Sequence, residues 1–325
     1  IIFMSTSAIL SAFGHPEGVI ELTQSHNQSL VEGEVRVKMI AAPINPADIN
    51  LIQGVYGIRP SLPATAGIEG FGKIIESRAS EFDVGSRVIF TKQVGTWAEE
   101  VVAPSSSLLQ IPAETPPQQA AMLKVNPLTA WCMLTQLMEL EKGAWVIQNA
   151  ANSGVGCCVI QIANLLGIKT INLVRREELI SDLNELGGSI NLLDNQESIE
   201  LIRDKKPSLA FNAVGGDSAL RLMDALDNNG LHVTYGAMSR RSLKVPNKFL
   251  IFKGVRLHGF WMTEWLKQNS QALMESAYLQ LARWMTQGQL AQPVDSTYDL
   301  TDIKAALTRA QESKRNGKVL LLMNE

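Results

Sequence analysis

The sequence predicts an α/β protein with a doubly wound parallel sheet and a second, β-rich barrel domain. Three observations carry that expectation. Residues 145–176 read as strand, small-residue turn, helix and strand in about thirty residues. Apolar runs that end in glycine or turn residues recur at 210–216, 231–238 and 255–261, as buried parallel strands do. Residues 1–120 instead break into short runs punctuated by Gly or Pro every ten residues or so, the pattern of an antiparallel barrel.

The 145–176 stretch organises the rest. Trp145, Val146 and Ile147 form a short apolar strand, and a turn follows from Asn149 to Gly156. Val159, Ile160, Ile162, Ala163 and Leu166 then recur at helical spacing up to Gly167, a natural stop. Such a unit places phosphate on a helix N-terminus. The G-x-G-x-x-G fingerprint is imperfect: its positions hold Ala151, Ser153 and Gly156, with Gly154 as an extra glycine. Ala and Ser are small enough to let a pyrophosphate approach, but on this motif alone a Gly-rich turn in any parallel α/β protein fits equally well. The second strand shifts the balance. Nineteen residues past Gly156, where an NAD-binding protein carries an acid for the ribose hydroxyls, stand Arg175 and Arg176. An acid there would repel a 2′-phosphate, whereas a guanidinium binds one in a fork. The expected cofactor is NADPH.

Composition sets the bounds. At 325 residues the chain is long enough for two domains with their own cores. A net charge of −3 with 46% hydrophobic residues points neither to disorder nor to nucleic-acid binding. Cys132, Cys157 and Cys158 make no C-x-x-C and no disulfide framework, so a reducing compartment is expected. The start, Ile1-Ile2-Phe3-Met4, lacks the basic region and cleavage pattern of a signal peptide. No run approaches a membrane span. The expected location is the cytoplasm of a bacterium, or the mitochondrial matrix in a eukaryote.

In chain order, residues 35–40 alternate as a half-buried strand, and Asn45 or Asp48 suits the cap of a short helix. Residues 53–58 read as a loop. Further strands are expected at 67–75, 85–90 and 95–102. From 118 to 140 the period turns helical, with Asn126-Pro127 as an interruption. Helices run on to about 288, and the apolar 318–323 segment returns to the first domain. The expected division is 1–121 with 286–325 as one domain, and 122–285 as the nucleotide-binding one.

This order resembles the medium-chain dehydrogenase/reductase superfamily over essentially the whole chain, which implies a GroES-like barrel domain beside a Rossmann-type NADPH-binding domain. The zinc ligands of its alcohol dehydrogenases are replaced: Asn45 stands at the cysteine position, and Ile68 takes the histidine's place in Gly67-Ile68-Glu69-Gly70. No set of three or four zinc ligands remains. Within the zinc-free branch the chain is most similar to the 2-enoyl thioester reductases of mitochondrial type. The turn Asn152-Ser153-Gly154-Val155-Gly156, the segment Gly259-Phe260-Trp261, residues 42–57 and residues 233–238 carry that resemblance. It implies a catalytic role for Tyr56, donating to the thioester region while hydride reaches C3. It implies cofactor contacts at Asn126, Asn152, Ser153, Gly154, Val155, Tyr235, Gly236, Ala237, Met238, Phe260, Trp261, Met262 and Lys318. Arg175 matches the family's 2′-phosphate arginine; Arg176 departs from the acid usual beside it.

Without the resemblance Tyr56 would be one more loop tyrosine, Trp97 a core aromatic, and Glu69 a structural carboxylate outside the catalytic set. His15, His26, His232 and His258 have no metal-ligand spacing and read as surface or core residues. The expected activity is NADPH-dependent reduction of the C2–C3 double bond of trans-2-enoyl thioesters of coenzyme A or acyl carrier protein, in fatty acid metabolism. Two alternatives stay open: a quinone or enone reductase of the same superfamily, and an NADPH-binding protein that acts by contact. Residues 255–260 fall where an edge strand would lie, so a homodimer through that strand is expected.

Overall fold

The structure is a computed structural model that describes residues 4–26 and 28–323. Ile1, Ile2 and Phe3, on which the expectation of no signal peptide partly rests, lie outside the described residues. The chain forms two compact units, Asn126–Met274 and Ile1–Val125 with Glu275–Glu325.

The Asn126–Met274 unit holds a six-stranded sheet in which every neighbouring pair is parallel. Across the sheet the strands are Ile190–Leu193, Lys169–Val174, Trp145–Gln148, Leu209–Asn212, Leu231–Thr234 and Arg256–Gly259. Chain order reverses between Trp145–Gln148 and Leu209–Asn212, and ligands sit at the carboxyl ends of strands beside such a switch point. The two central strands are covered on both faces, which is why they read as unbroken apolar runs. The helical 118–140 stretch is interrupted before Asn126-Pro127, as expected. Pro127 stands in the first turn of the Asn126–Thr135 helix, where its missing N–H costs nothing, and the preceding helix ends at Ala121.

In the other unit the strands Val294–Asp299, Lys318–Leu322, Glu34–Ile44, Phe71–Ser77, Arg87–Phe90 and Leu108–Gln110 lie side by side, with Glu100–Pro104 also on Glu34–Ile44. Ile20–His26, Met4–Leu10 and Ala64–Thr65 form a separate three-stranded sheet. The C-terminal return is direct: Val319 lies opposite Ile44 in an antiparallel pair. Two expected strands start later than their apolar patterns suggest, at Phe71 and at Glu100. The residues before them form loops, because Gly67 and Gly95 take positive φ and pass so close to Trp97 and Thr65 that no side chain would fit.

His232 is a core histidine in the Leu231–Thr234 strand, fully buried, and neither ring nitrogen has a well-formed hydrogen bond, although the Ala219 backbone stands near enough to interact. Burial pushes its pKa down to about 4. The unfolded chain therefore binds a proton near pH 6.5 that the folded chain refuses until about pH 4. The stability this site gives is complete above pH 6.5 and lost as pH falls toward 4, by up to about 3 kcal/mol. His232→Leu is expected to flatten that loss by a similar amount. Urea unfolding of both proteins at pH 7 and pH 5 measures it, and equal pH slopes would refute it.

Candidate active site

The turn after Trp145–Gln148 is built by close approach. Ala150 adopts φ +47°, and Gly156 lies so near the Ala150 and Ala151 carbonyls that a Cβ there would sit 2.5 Å from the Ala151 oxygen. Only glycine fits, which explains why this fingerprint position keeps it. Gly154 is required for another reason: a Cβ would meet the Asn126 side-chain nitrogen at 2.4 Å. The buried Asn126 amide is thus seated against the turn. Ser153 caps the Gly154–Leu166 helix, its Oγ accepting from Gly156 N at 3.1 Å, so its hydroxyl proton points away from the helix. Asn152 is exposed, and Val155 half-buried.

A layer of amides behind the turn was not foreseen from sequence. Gln148 donates to the Gly156 carbonyl (3.0 Å) and to Asn172 Oδ1 (2.8 Å). Asn149 donates to Asn212 Oδ1 (2.9 Å) and Ser218 Oγ (2.8 Å), and its own oxygen accepts from Ala213 N. Asp194 accepts from Ser218 and pairs with Arg221 at 2.6 Å. These bonds tie three strand ends together at the switch point, directly behind the turn.

Tyr235, Gly236, Ala237 and Met238 follow the Leu231–Thr234 strand at the same edge. Tyr235 N donates to the Asn212 carbonyl and Met238 N to that of Ala213. The Tyr235 hydroxyl is buried without a well-formed hydrogen bond, although Ser153 stands near enough to interact. Burial raises its pKa, so it remains a neutral phenol. Phe260 and Met262 are buried, and Trp261 is half-buried at the start of the Met262–Gln268 helix. The two arginines differ. Arg176 pairs with Glu178 at 3.0 Å, whereas Arg175 is exposed past the end of Lys169–Val174 and forms no ion pair among the described residues.

These features fit NADPH. An anion-accepting helix start, glycines that leave room for backbone approach, an unsatisfied buried hydroxyl and a free guanidinium share one strand edge.

In the other unit Tyr56 follows the Pro46–Ile52 helix by four residues, half-buried against the barrel core. That helix starts at the capping pair Asn45 and Asp48, as expected, inside a buried polar network of which sequence reading otherwise noted only Glu69 as structural. Asp48 accepts from Asn45 N (2.8 Å) and Ile68 N (2.9 Å). Glu69 accepts from Asn45 Nδ2 (2.6 Å) and Val125 N (2.9 Å). Lys318 Nζ donates to Asn45 Oδ1 (2.7 Å), and Lys124 Nζ to the Ile68 carbonyl (3.0 Å). Burial pushes Asp48 up to about 7, raises Glu69, and brings Lys124 down to about 8. The Lys318 ammonium, expected at the cofactor, is committed to this network. Trp97 is a core residue, as expected, donating to the Pro43 carbonyl. Among the described residues no three His, Cys, Asp or Glu side chains gather as a metal site.

Fold and site together define a medium-chain dehydrogenase/reductase. Residues 31–113 match the alcohol dehydrogenase GroES-like domain and residues 154–278 the zinc-binding dehydrogenase domain. An enoyl-[acyl-carrier-protein] reductase of Xenopus tropicalis mitochondria is 40% identical over 95% of this chain and 93% of its own length. A solved complex of Etr1p with NADP and crotonyl-CoA superposes with TM-score 0.90 at 29% identity, covering 99% of this chain and all of that one. A putative NADPH:quinone reductase of Bacillus thuringiensis gives 0.91 at 26% identity, again over 99% and 100% of the two chains. The chain belongs to the family of the mitochondrial enoyl-[acyl-carrier-protein] reductases.

Proposed function

We propose that this protein is an NADPH-dependent 2-enoyl thioester reductase, which saturates the C2–C3 double bond of its substrate. The observation that carries this reading is the likeness to enoyl-[acyl-carrier-protein] reductases over nearly the whole chain, in a sequence that retains Tyr56. An enoyl thioester is already electrophilic at C3, so the protein must supply position and a donor for the charge that develops beyond it. NADPH, when bound, supplies the hydride. The Ser153–Gly156 turn and Asn126 hold its pyrophosphate region, Tyr235 to Met238 and Phe260 to Met262 line its other end, and Arg175 takes the 2′-phosphate. Tyr56 donates from its phenol to the thioester.

The likeness to a quinone reductase favours one rival, in which the same hydride geometry serves a quinone without need of Tyr56. Oxidation of NADPH with crotonyl-CoA and, separately, with a simple quinone decides between them. Turnover of crotonyl-CoA is expected; turnover of the quinone alone would overturn the proposal. Relatives named as mitochondrial enzymes support a mitochondrial location over the bacterial cytoplasm. Among the described residues no helix is long and apolar enough to cross a membrane.

The assembly we propose is a homodimer. Arg256–Gly259 is the last strand of the six-stranded sheet and all four of its residues are exposed. Ile251 and Phe252, just before it, are 69% and 83% exposed, more apolar surface than a solvated edge usually shows. Two copies about a two-fold axis would cover both. Arg256 N and Phe260 N bond inward to Gly230 and Thr234, so the alternating N–H of Leu257 points to the open edge. Leu257→Pro should therefore spare the sheet and split the dimer. Sedimentation equilibrium is expected to move from twice the 35.6 kDa chain mass to one chain. A wild-type monomer, or a dimeric variant, would reject the strand.

A further inference from the structure

From Asn228 through Thr263 the sequence contains no acidic residue, yet it carries Arg240, Arg241, Lys244, Lys248, Lys253 and Arg256. In a chain of net charge −3 this is a strong local imbalance. Two of the six are engaged with backbone. Lys253 Nζ donates to the Met223 and Asp224 carbonyls, and Arg256 donates to that of Asn229. The other four are exposed, and none forms an ion pair among the described residues. They lie within nine residues of one another. Exposed Met238 precedes them and exposed Leu243 lies among them.

The loop that carries them is not slack. Ser239 Oγ donates to the Val214 carbonyl and accepts from Arg241 N, and Arg241 bridges to Gly215. The aliphatic stem of Arg241 lies over Gly216, at the start of the Gly216–Ala225 helix. Arg240, Arg241 and Lys244 are therefore displayed from a pinned loop that follows Met238, the last residue of one proposed cofactor segment, and Lys248 from the Asn247–Ile251 helix just after it.

We propose that Arg240, Arg241, Lys244 and Lys248 form the docking surface for an acidic carrier protein that delivers the enoyl thioester. The inference rests on the thioester reductase reading and specifies its partner's contact. An unpaired basic loop attracts an anionic partner from a distance and raises the rate of encounter. Its place beside the cofactor segment would bring a tethered substrate to the reducing end. Four cations spread over nine residues, with apolar side chains between them, suit a protein face better than the compact phosphates of coenzyme A. The same charges disfavour burial of this loop against its own copy, since two such sets would repel about a two-fold axis.

The test compares two substrates in the full-length enzyme. R240E/R241E/K244E/K248E is assayed with crotonyl-CoA and with a crotonyl group carried on acyl carrier protein. The expected result is a rise in KM for the carrier-linked substrate on the order of tenfold or more, with kcat/KM for crotonyl-CoA within about twofold of wild type. Wild-type kcat/KM on the carrier should also fall with added salt, and the variant's should not. An equal loss on both substrates would assign the cations to coenzyme A phosphates and overturn the proposal. No loss on either, or loss only of binding to anionic lipid vesicles, would overturn it as well. Lack of crotonyl-CoA turnover by the wild type would instead defeat the reductase reading itself. Near-wild-type thermal unfolding of the variant guards against misfolding, and the milder K244A/K248A repeats the comparison.

Discussion

Tyr56→Phe is expected to lower kcat on enoyl thioesters by roughly two to four orders of magnitude while leaving NADPH binding intact. The substitution removes one oxygen and keeps the ring that packs on the barrel core. Backbone bonds that the substitution leaves untouched hold the segment around the ring. Val55 N donates to the Asn50 carbonyl at 2.9 Å and Gly54 N to that of Leu51 at 3.0 Å. Arg59 Nε donates to the Gly54 carbonyl at 2.8 Å. Gly54 itself adopts φ +72° against the Phe13 ring, where a Cβ would already touch at 3.0 Å. These bonds keep the loop in place in Tyr56→Phe, and intact NADPH binding separates a lost proton donor from a displaced loop. Single-turnover kinetics with crotonyl-CoA, alongside NADPH titration by fluorescence, separate chemistry from binding. An unchanged kcat would make Tyr56 an ordinary loop residue and favour the quinone reading.

The parallel sheet was legible because its inner strands, covered on both faces, leave apolar runs no other element explains. Ile190–Leu193 was not, since its residues are only half-buried and Asn191 splits its three apolar residues, leaving no run of length. The break expected at Asn126-Pro127 is there, between helices ending at Ala121 and starting at Asn126. Spacing alone did not show that Pro127 opens the second helix, since proline breaks a helix interior and suits a helix start. The imperfect fingerprint could be read because its last position, Gly156, and the extra Gly154 each answer a local steric demand. The polar scaffold behind it could not. Asn149, Asn212 and Ser218 lie more than sixty residues apart at the extremes and meet only once the strands are ordered. Glu69, Lys124 and Lys318 are likewise strangers in sequence. Glycines on either side of Glu69 hinted at close packing, but nothing near it announced that its partners would be Asn45 and the backbone of Val125. Buried polar groups are chosen by tertiary partners, so a single sequence shows them as isolated oddities.

Arg175→Ala should raise the KM for NADPH by roughly 10- to 150-fold, the equivalent of about 1.5–3 kcal/mol for a charge-assisted phosphate contact, and change that for NADH little. Sequence offered two arginines for one phosphate, and the structure separates them. Arg176 already shares its charge with Glu178 at 3.0 Å, so recruiting it to a phosphate means giving up or sharing that partner. Arg175 has no such pair and stands at the carboxyl end of Lys169–Val174, the strand whose end faces the ribose in this fold. Its guanidinium presents a planar fork to an incoming phosphate, a geometry lysine lacks. Arg175→Lys should accordingly recover part of the loss and not all of it. Arg176→Ala should cost severalfold at most, and Glu178→Gln, which frees Arg176, should if anything tighten NADPH. Steady-state kinetics with both cofactors across the four variants measure the ratio directly. If Arg175→Ala weakens NADPH and NADH alike, the residue acts on the fold or on a part common to both cofactors, and the 2′-phosphate assignment fails.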